Sequence, residues 1–174
     1  MAKSTWAIDP SHSEIQFKVK HLMITNVTGS FGEFAAIAET EGNDFSKAKI
    51  SFTANTASIS TGNEQRDGHL KSDDFFSADK FPQIKFEASE YNSAKSEISG
   101  QLTIRDVTKA VSLKVEFGGI VKDGWGNTKA GFSVSGVINR KDFGSQWGAV
   151  TEAGGVVVSD DVRIFAEVQF AKQA

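Results

Sequence analysis

Six stretches of this chain alternate apolar and polar residues with period two. Ile15, Phe17 and Val19 interleave with Glu14, Gln16, Lys18 and Lys20. Ile84, Phe86 and Ala88 interleave with Lys85, Glu87 and Ser89, and Ile98, Leu102 and Ile104 with Ser99, Gln101 and Thr103. Val111, Leu113, Val115 and Phe117 share one face of a fourth stretch. Ala130, Phe132, Val134 and Ile138 share one face of a fifth, and Val162, Ile164, Ala166, Val168 and Phe170 one face of a sixth. Such alternation marks strands with one buried and one wet face, the antiparallel signature. Less regular strands are expected over Val27 to Ala38 and Ile50 to Ser58. Arg105 to Thr108 is short enough for a hairpin loop. Lys122 to Lys129, with Asp123, Gly124, Gly126 and Asn127, reads as a turn. Asn139 to Gly155 is a longer, glycine-containing excursion before the last strand.

One segment breaks the pattern. Thr61-Gly62-Asn63-Glu64 fits a capping box with Thr61 as the N-cap, which predicts a short helix through His69 and Leu70. Gly68 weakens that helix by about 1 kcal/mol relative to Ala. Ser72-Asp73-Asp74 opens a further turn, and Phe81-Pro82 leads into the next strand. The chain has 174 residues, a length that fits a single domain over 1–174, and it contains no internal repeat or linker. The expected fold is all-β, with eight or more strands and a helical insertion. A sheet of that width must close on itself or fold into a sandwich to hide its edges.

Composition removes several chemistries. With no Cys, disulfides, thiolate metal sites and cysteine nucleophiles are excluded. A net charge of -3 argues against electrostatic nucleic-acid binding. The longest apolar stretches, about Phe34 to Ala38 and Gly154 to Val158, are too short to span a bilayer as helices. The first residues lack a secretory leader, so the expected location is cytoplasmic, or periplasmic if a leader has been removed. No nucleophile elbow, phosphate loop or dinucleotide fingerprint is present. His12-Ser13-Glu14 matches half of a deaminase signature whose other half needs cysteines. Asp73, Asp74 and Asp79 lack calcium-loop spacing and read as a solvated turn. No catalytic residue and no cofactor is expected.

The candidates that remain are three histidines and the phenylalanines. By parity His12 faces solvent, whereas His21 shares the inward face at its strand's end. His69 sits on the short helix, with Phe76 seven residues on. Each of His21 and His69 either orients a ligand head group or simply bonds to the backbone. The spacing of the three favours no metal site. The chain carries 14 Phe and one Tyr. Phe17, Phe52, Phe86, Phe117, Phe132 and Phe170 fall on inward faces. Phe31 and Phe34 lie on a neighbouring strand, and Phe75 and Phe76 on the insertion. These rings either pack a solid core or line a cavity for a wholly apolar ligand. Gly100, Gly131 and Gly136 within strands permit bends or leave room. Phe165 has outward parity and marks a possible interface.

An ordered set of motifs resembles the YceI-like family over nearly the whole chain. It comprises Trp6-Ala7-Ile8-Asp9 with His12-Ser13, Phe17 to His21, Val27 with Gly29 and Phe31, and Arg66-Asp67-Gly68-His69-Leu70. It continues with Asp74-Phe75-Phe76, Phe81-Pro82, Gly100 to Ile104, and Ile138 to Gly144. The resemblance implies an extended lipocalin-like antiparallel β-barrel of about eight strands with a helical insertion. It also implies an internal channel for a polyisoprenoid chain, such as the tail of a quinone or its precursor, and dimers. On that reading the ligand-binding set is Phe17, His21, Phe31, Phe34, Phe52, Arg66, His69, Phe75, Phe76, Phe86, Phe117 and Phe132. Arg140 and Asp142 are alternatives at the mouth, or else a strand-end ion pair. The partner is a long apolar small molecule, not nucleic acid. An enzyme acting on a lipid and a non-binding interaction module are the competing readings.

Overall fold

A computed structural model describes residues 3–22, 24–73, 75–143 and 159–173. Its strands are β1 (Lys3–Ile8), β2 (Glu14–His21), β3 (Thr25–Phe31), β4 (Phe34–Glu41), β5 (Asp44–Asn55) and β6 (Ile59–Ser60), followed by helix α1 (Glu64–Lys71). Then come β7 (Gln83–Asn92), β8 (Glu97–Ile104), β9 (Val107–Lys122), β10 (Thr128–Asn139) and β11 (Asp161–Lys172). All pairings are antiparallel, in the order β1-β4-β5-β7-β8-β9-β10-β11, and β11 pairs back onto β1 through Ile8↔Phe170 and Trp6↔Lys172. The ring is therefore a closed eight-stranded antiparallel barrel, the solution that leaves no free edge along its length.

Three strands extend this ring at one end. The first half of β11 pairs β2, with Ile164 opposite Phe17, and β2 pairs β3, which pairs β6. β1 and β2 thus act as one long strand kinked at residues 9–13. At the kink, Pro10 starts a 3-10 turn, and Asp9 Oδ1 accepts the Ser11 N–H at 3.1 Å. Ser13 Oγ accepts the Gln169 N–H at 3.0 Å, which fastens the kink to β11. β3 and β4 form the antiparallel partner of this kinked strand.

The structure corrects several local expectations. Val27 to Ala38 is two strands, because the chain breaks at residues 32–33. The strand expected over Ile50 to Ser58 begins at Asp44 and ends at Asn55, and Thr56–Ser58 forms a 3-10 turn. The hairpin between β8 and β9 turns on two residues, Arg105 and Asp106, with Arg105 at φ +58°. The excursion after β10 opens as a 3-10 turn, Arg140–Phe143; its part over 144–158, and Asp74, lie outside the described residues. Thr61 is not the N-cap. Asn63 caps α1, its Oδ1 accepting the Arg66 N–H at 3.0 Å.

The strand glycines divide between the two roles open to them. A Cβ on Gly136 would lie 2.4 Å from Leu113 Cδ2, and one on Gly100 2.4 Å from the Glu87 carbonyl oxygen, so these two leave room. Gly131 has open space where its Cβ would sit and marks the register shift between β9 and β10. It serves a bend.

Candidate functional site

The inward faces of the strands enclose a cavity of about 640 Å³. Its walls are side chains that the period-two pattern turns inward: Ile15 and Phe17 from β2, Phe52 and Ala54 from β5, Ile84 and Phe86 from β7, and Val134 from β10. β4 gives a small residue, Ala36, and places Ile37 outside. Small inward residues on one wall and large ones opposite leave space that a uniformly large set would fill.

One end is packed with aromatic rings. Phe45 contacts Trp6 at 4.9 Å and Phe132 at 5.0 Å between ring centroids. Phe132 meets Phe117 at 5.1 Å, Phe170 at 6.1 Å and Tyr91 at 6.5 Å. Tilted and edge-on contacts at these distances are favourable ring geometries. Trp6 is wholly buried, and its Nε1–H donates to Thr40 Oγ1 at 2.8 Å, so its one polar atom is satisfied.

The other end is polar. There α1 contributes Arg66, His69 and Leu70 to the lining, alongside His21 from the end of β2. None of the residues of α1 is buried, so packing alone does not hold it in place. Thr61 is the latch. Asp67 Oδ1 accepts its N–H at 2.8 Å and its hydroxyl at 2.6 Å, while Arg66 donates from Nε to Thr61 Oγ1 at 2.7 Å and from Nη2 to the Thr61 carbonyl at 2.8 Å. The segment after α1 is anchored by apolar contacts. Phe75 is buried with its ring 5.1 Å from His69, and Phe76 meets Phe31 edge-on at 5.8 Å. Arg105 Nη1 donates to the carbonyls of Asp73 and Phe75, at 2.9 and 3.1 Å. This ties the insertion to the β8–β9 hairpin.

Ten of the twelve expected site residues line this one cavity: Phe17, His21, Phe31, Phe52, Arg66, His69, Phe75, Phe76, Phe86 and Phe132. Phe34 and Phe117 do not. Phe34 packs against the core at the start of β4 without reaching the cavity. Phe117 follows the inward parity of β9 but lies beside the β9–β10 bulge at the packed end, and it is 49% exposed. Phe45, Tyr91 and Phe143 line the cavity and were not expected there. Phe45 turns inward because the β4–β5 register shifts between Glu39 and Glu41, a feature that parity counting misses.

Arg140 also lines the cavity. It pairs with Asp160 at 3.6 Å and not with Asp142, and its Nε donates to the Ser159 carbonyl at 3.1 Å. Its guanidinium lies 5.7 Å from the Phe75 ring centroid, a cation–π distance. Burial pushes its pKa down against the pull of Asp160, yet guanidinium stays charged over any physiological range.

His12 lies outside the cavity at the β1–β2 kink. Its Nδ1 is 2.8 Å from Asp9 Oδ2, and Lys129 Nζ donates to the same oxygen at 2.7 Å. The Lys129 ammonium, followed by His12 and the Ser11 hydroxyl, holds the Asp9 carboxyl well below the usual carboxylate range. Among the described residues no three His, Cys, Asp or Glu side chains converge as a metal-ligand set. Asp73 sits at the surface, taking the Ser77 hydroxyl at 2.6 Å, and Asp79 is exposed. Phe165 faces outward with Lys18 Nζ 5.3 Å from its ring centroid.

The YceI-like domain family matches residues 6–170. A UPF0312 protein of Staphylococcus aureus strain N315 is 39% identical, covering 97% of this chain and 98% of its own. The crystal structure of a Campylobacter jejuni YCEI protein superposes with a TM-score of 0.76 at 34% identity, covering 89% of this chain and 90% of that one. A polyisoprenoid binding domain from Saccharophagus degradans, only 13% identical, shares the fold with a TM-score of 0.72 over 97% of this chain and 98% of its own.

Proposed function

The chain belongs to the YceI-like domain family, and from that premise we propose that it binds one long isoprenoid chain, of the quinone or polyprenyl-precursor type, and stores or carries it. The observation that carries this reading is the cavity itself: mostly apolar along its walls, aromatic at one end, and lined by Arg66 and His69 at the end beneath α1. Its volume of about 640 Å³ lies in the range of small-molecule sites. At the roughly 30 Å³ that a small group such as water occupies in a liquid, it has room for about 20 non-hydrogen atoms.

The energetics fit. Burying about 15 prenyl carbons at roughly 0.8 kcal/mol each gives a gross gain near 12 kcal/mol. Lost motion and chain ordering remove several kcal/mol of this. A remainder of about 8 kcal/mol corresponds to micromolar affinity. No directional bond along the chain is needed, so specificity comes from channel length and from the polar end. His21 and His69 reach the lining, but among the described residues no Asp or Glu does.

Extraction of the purified protein with organic solvent, followed by mass spectrometry, tests the reading. A prenyl-chain lipid in near-stoichiometric amount is the expected result. An extract without lipid, from protein that also fails to take up added prenyl chains, overturns it. Pairing of two copies belongs to the same reading, with the outward Phe165 at the contact. Sedimentation of Phe165→Glu against the unaltered protein tests it, and an unchanged sedimentation coefficient removes Phe165 from any interface.

A further inference from the structure

Among the described residues, two turns at opposite ends of the barrel expose large apolar side chains. At the α1 end, the β2–β3 turn carries Leu22 and Ile24, 39% and 77% exposed. The Ile24 N–H donates to the His21 carbonyl at 3.1 Å, and Leu22 sits at φ +53°, a conformation that glycine or asparagine usually supplies in a tight turn. The base of this turn is fastened to the barrel. The Lys20 N–H donates to Ser159 Oγ and the Ser159 N–H to the Lys20 carbonyl, both at 3.0 Å. At the packed end, the β9–β10 turn carries Trp125, 88% exposed, with its N–H on Asp123 Oδ1 at 2.9 Å.

The two turns differ in the charge behind them. The outward residues of β2 and β11 form rows that run down from the Leu22–Ile24 turn. Lys20 comes first, then Lys18 opposite Arg163, Gln16 opposite Phe165, and Glu14 opposite Glu167. Like charges directly opposite in a sheet are unfavourable, so the Lys18–Arg163 row adds nothing to the stability of the barrel by its charge. Lys18 lies over the Phe165 ring at 5.3 Å from its centroid. Among the described residues none of Lys18, Lys20 and Arg163 has a carboxylate at ion-pair distance. Asp160 is taken by Arg140 and Lys141, and Asp161, opposite Asn139 on β11, offsets one of the three cations. A positive surplus therefore stands beside this turn on a chain whose net charge is -3. At the Trp125 end the charges offset one another: Lys3 lies opposite Glu41, Lys49 opposite Glu39, and Lys129 on Asp9 at 2.7 Å.

We infer that the Leu22–Ile24 turn docks on an anionic lipid bilayer, its two aliphatic side chains entering the headgroup–acyl boundary while Lys20, Lys18 and Arg163 meet the lipid phosphates. Interfacial anchors sink about 5–10 Å into that boundary. Lys20 and Lys18 are two residues apart, about 7 Å along the strand, so the cations fall at the headgroup level when the turn is immersed. Apolar tips backed by basic residues match the chemistry of an anionic membrane surface. The surface lies outside the cavity and acts without a bound chain, so it goes beyond the lipid-binding reading and can fail without it.

Cosedimentation with vesicles tests the contact, using phosphatidylcholine alone and phosphatidylcholine with about 30% phosphatidylglycerol, an anionic lipid. At low salt, partitioning into the anionic vesicles is expected to exceed that into the neutral ones about tenfold or more, and to fall as salt is raised. Ile24→Asp is expected to weaken it about tenfold. Lys20→Gln and Arg163→Gln are each expected to weaken it about fivefold, and Trp125→Ser to leave it unchanged. Ile24 is exposed, so its variant keeps the fold, which circular dichroism checks. Absence of partitioning, equal partitioning into both vesicle types, or full partitioning of Ile24→Asp overturns the inference. Loss in Trp125→Ser instead assigns the contact to the other end and overturns it as well. Self-association that Ile24→Asp abolishes, without vesicle binding, gives the turn to a second copy and overturns the bilayer as its partner.

Discussion

At the scale of single residues, close approach explains positions that a pattern of apolar and polar letters cannot. Phe17 and Gly29 face each other across β2 and β3, and a Cβ on Gly29 would lie 2.2 Å from Phe17 Cζ. Gly29→Ala is therefore expected to displace the Phe17 ring and cost about 1–3 kcal/mol, read as a lower urea midpoint. Asp9 gives a second test. Its folded pKa is depressed by Lys129, His12 and Ser11, so its contribution is fully present above the unfolded value of about 4 and is lost as pH falls through the folded one. Asp9→Asn is expected to lower stability by about 1.5–3 kcal/mol near neutrality, and to lower it less in acid, where the unaltered protein has already lost part of the contribution. Urea midpoints at the two pH values check the difference. Most inward rings were legible from parity alone because each strand keeps register with its neighbours. Phe45 and Phe117 were not, since each lies beside a register shift that the chain makes only in the folded sheet.

At the scale of elements, the insertion is held at its start by side-chain bonds, because no residue of α1 is fully buried and Leu70 is its one apolar side chain packed against the core. Both Thr61 and Asn63 are good N-caps, and the sequence pattern favours Thr61 through its match to a capping box. The structure uses Asn63 as the cap and gives Thr61 to Asp67 and Arg66, a tertiary use that local spacing does not encode. Asn63→Ala is expected to cost about 1 kcal/mol and to speed ligand release, as measured by stopped-flow displacement. Gly68→Ala is expected to act the other way. No atom lies within 4 Å of the Cβ it would add, so the helix should gain up to about 1 kcal/mol. β1 and β6 escaped the periodic reading because each is short: β6 is two residues long, and β1 alternates around one large residue, Trp6.

At the scale of the whole molecule, a closed barrel with one aromatic end makes channel length a property of a few rings. Phe45 touches Trp6, Phe117 and Phe132. Phe45→Ala is expected to cost about 3–5 kcal/mol of stability and to shift the preferred ligand toward longer chains. A series of prenols of increasing length measures that shift. Phe86→Arg puts a charge on the inner wall and is expected to abolish uptake, provided circular dichroism shows the barrel intact. Strand number left closure and a sandwich both open, and the family resemblance pointed to the barrel; whether the interior is filled or open was not legible, because fourteen phenylalanines serve a solid core and a lined channel equally well. The open interior arises from pairings such as small Ala36 among large neighbours, which depend on which strands face one another. The most direct measurement is a crystal structure of the protein after incubation with a prenyl chain. Elongated density from the α1 end to the Phe45–Phe132 cluster is the predicted result. A barrel whose side chains close the same space, with no density inside, would contradict the account.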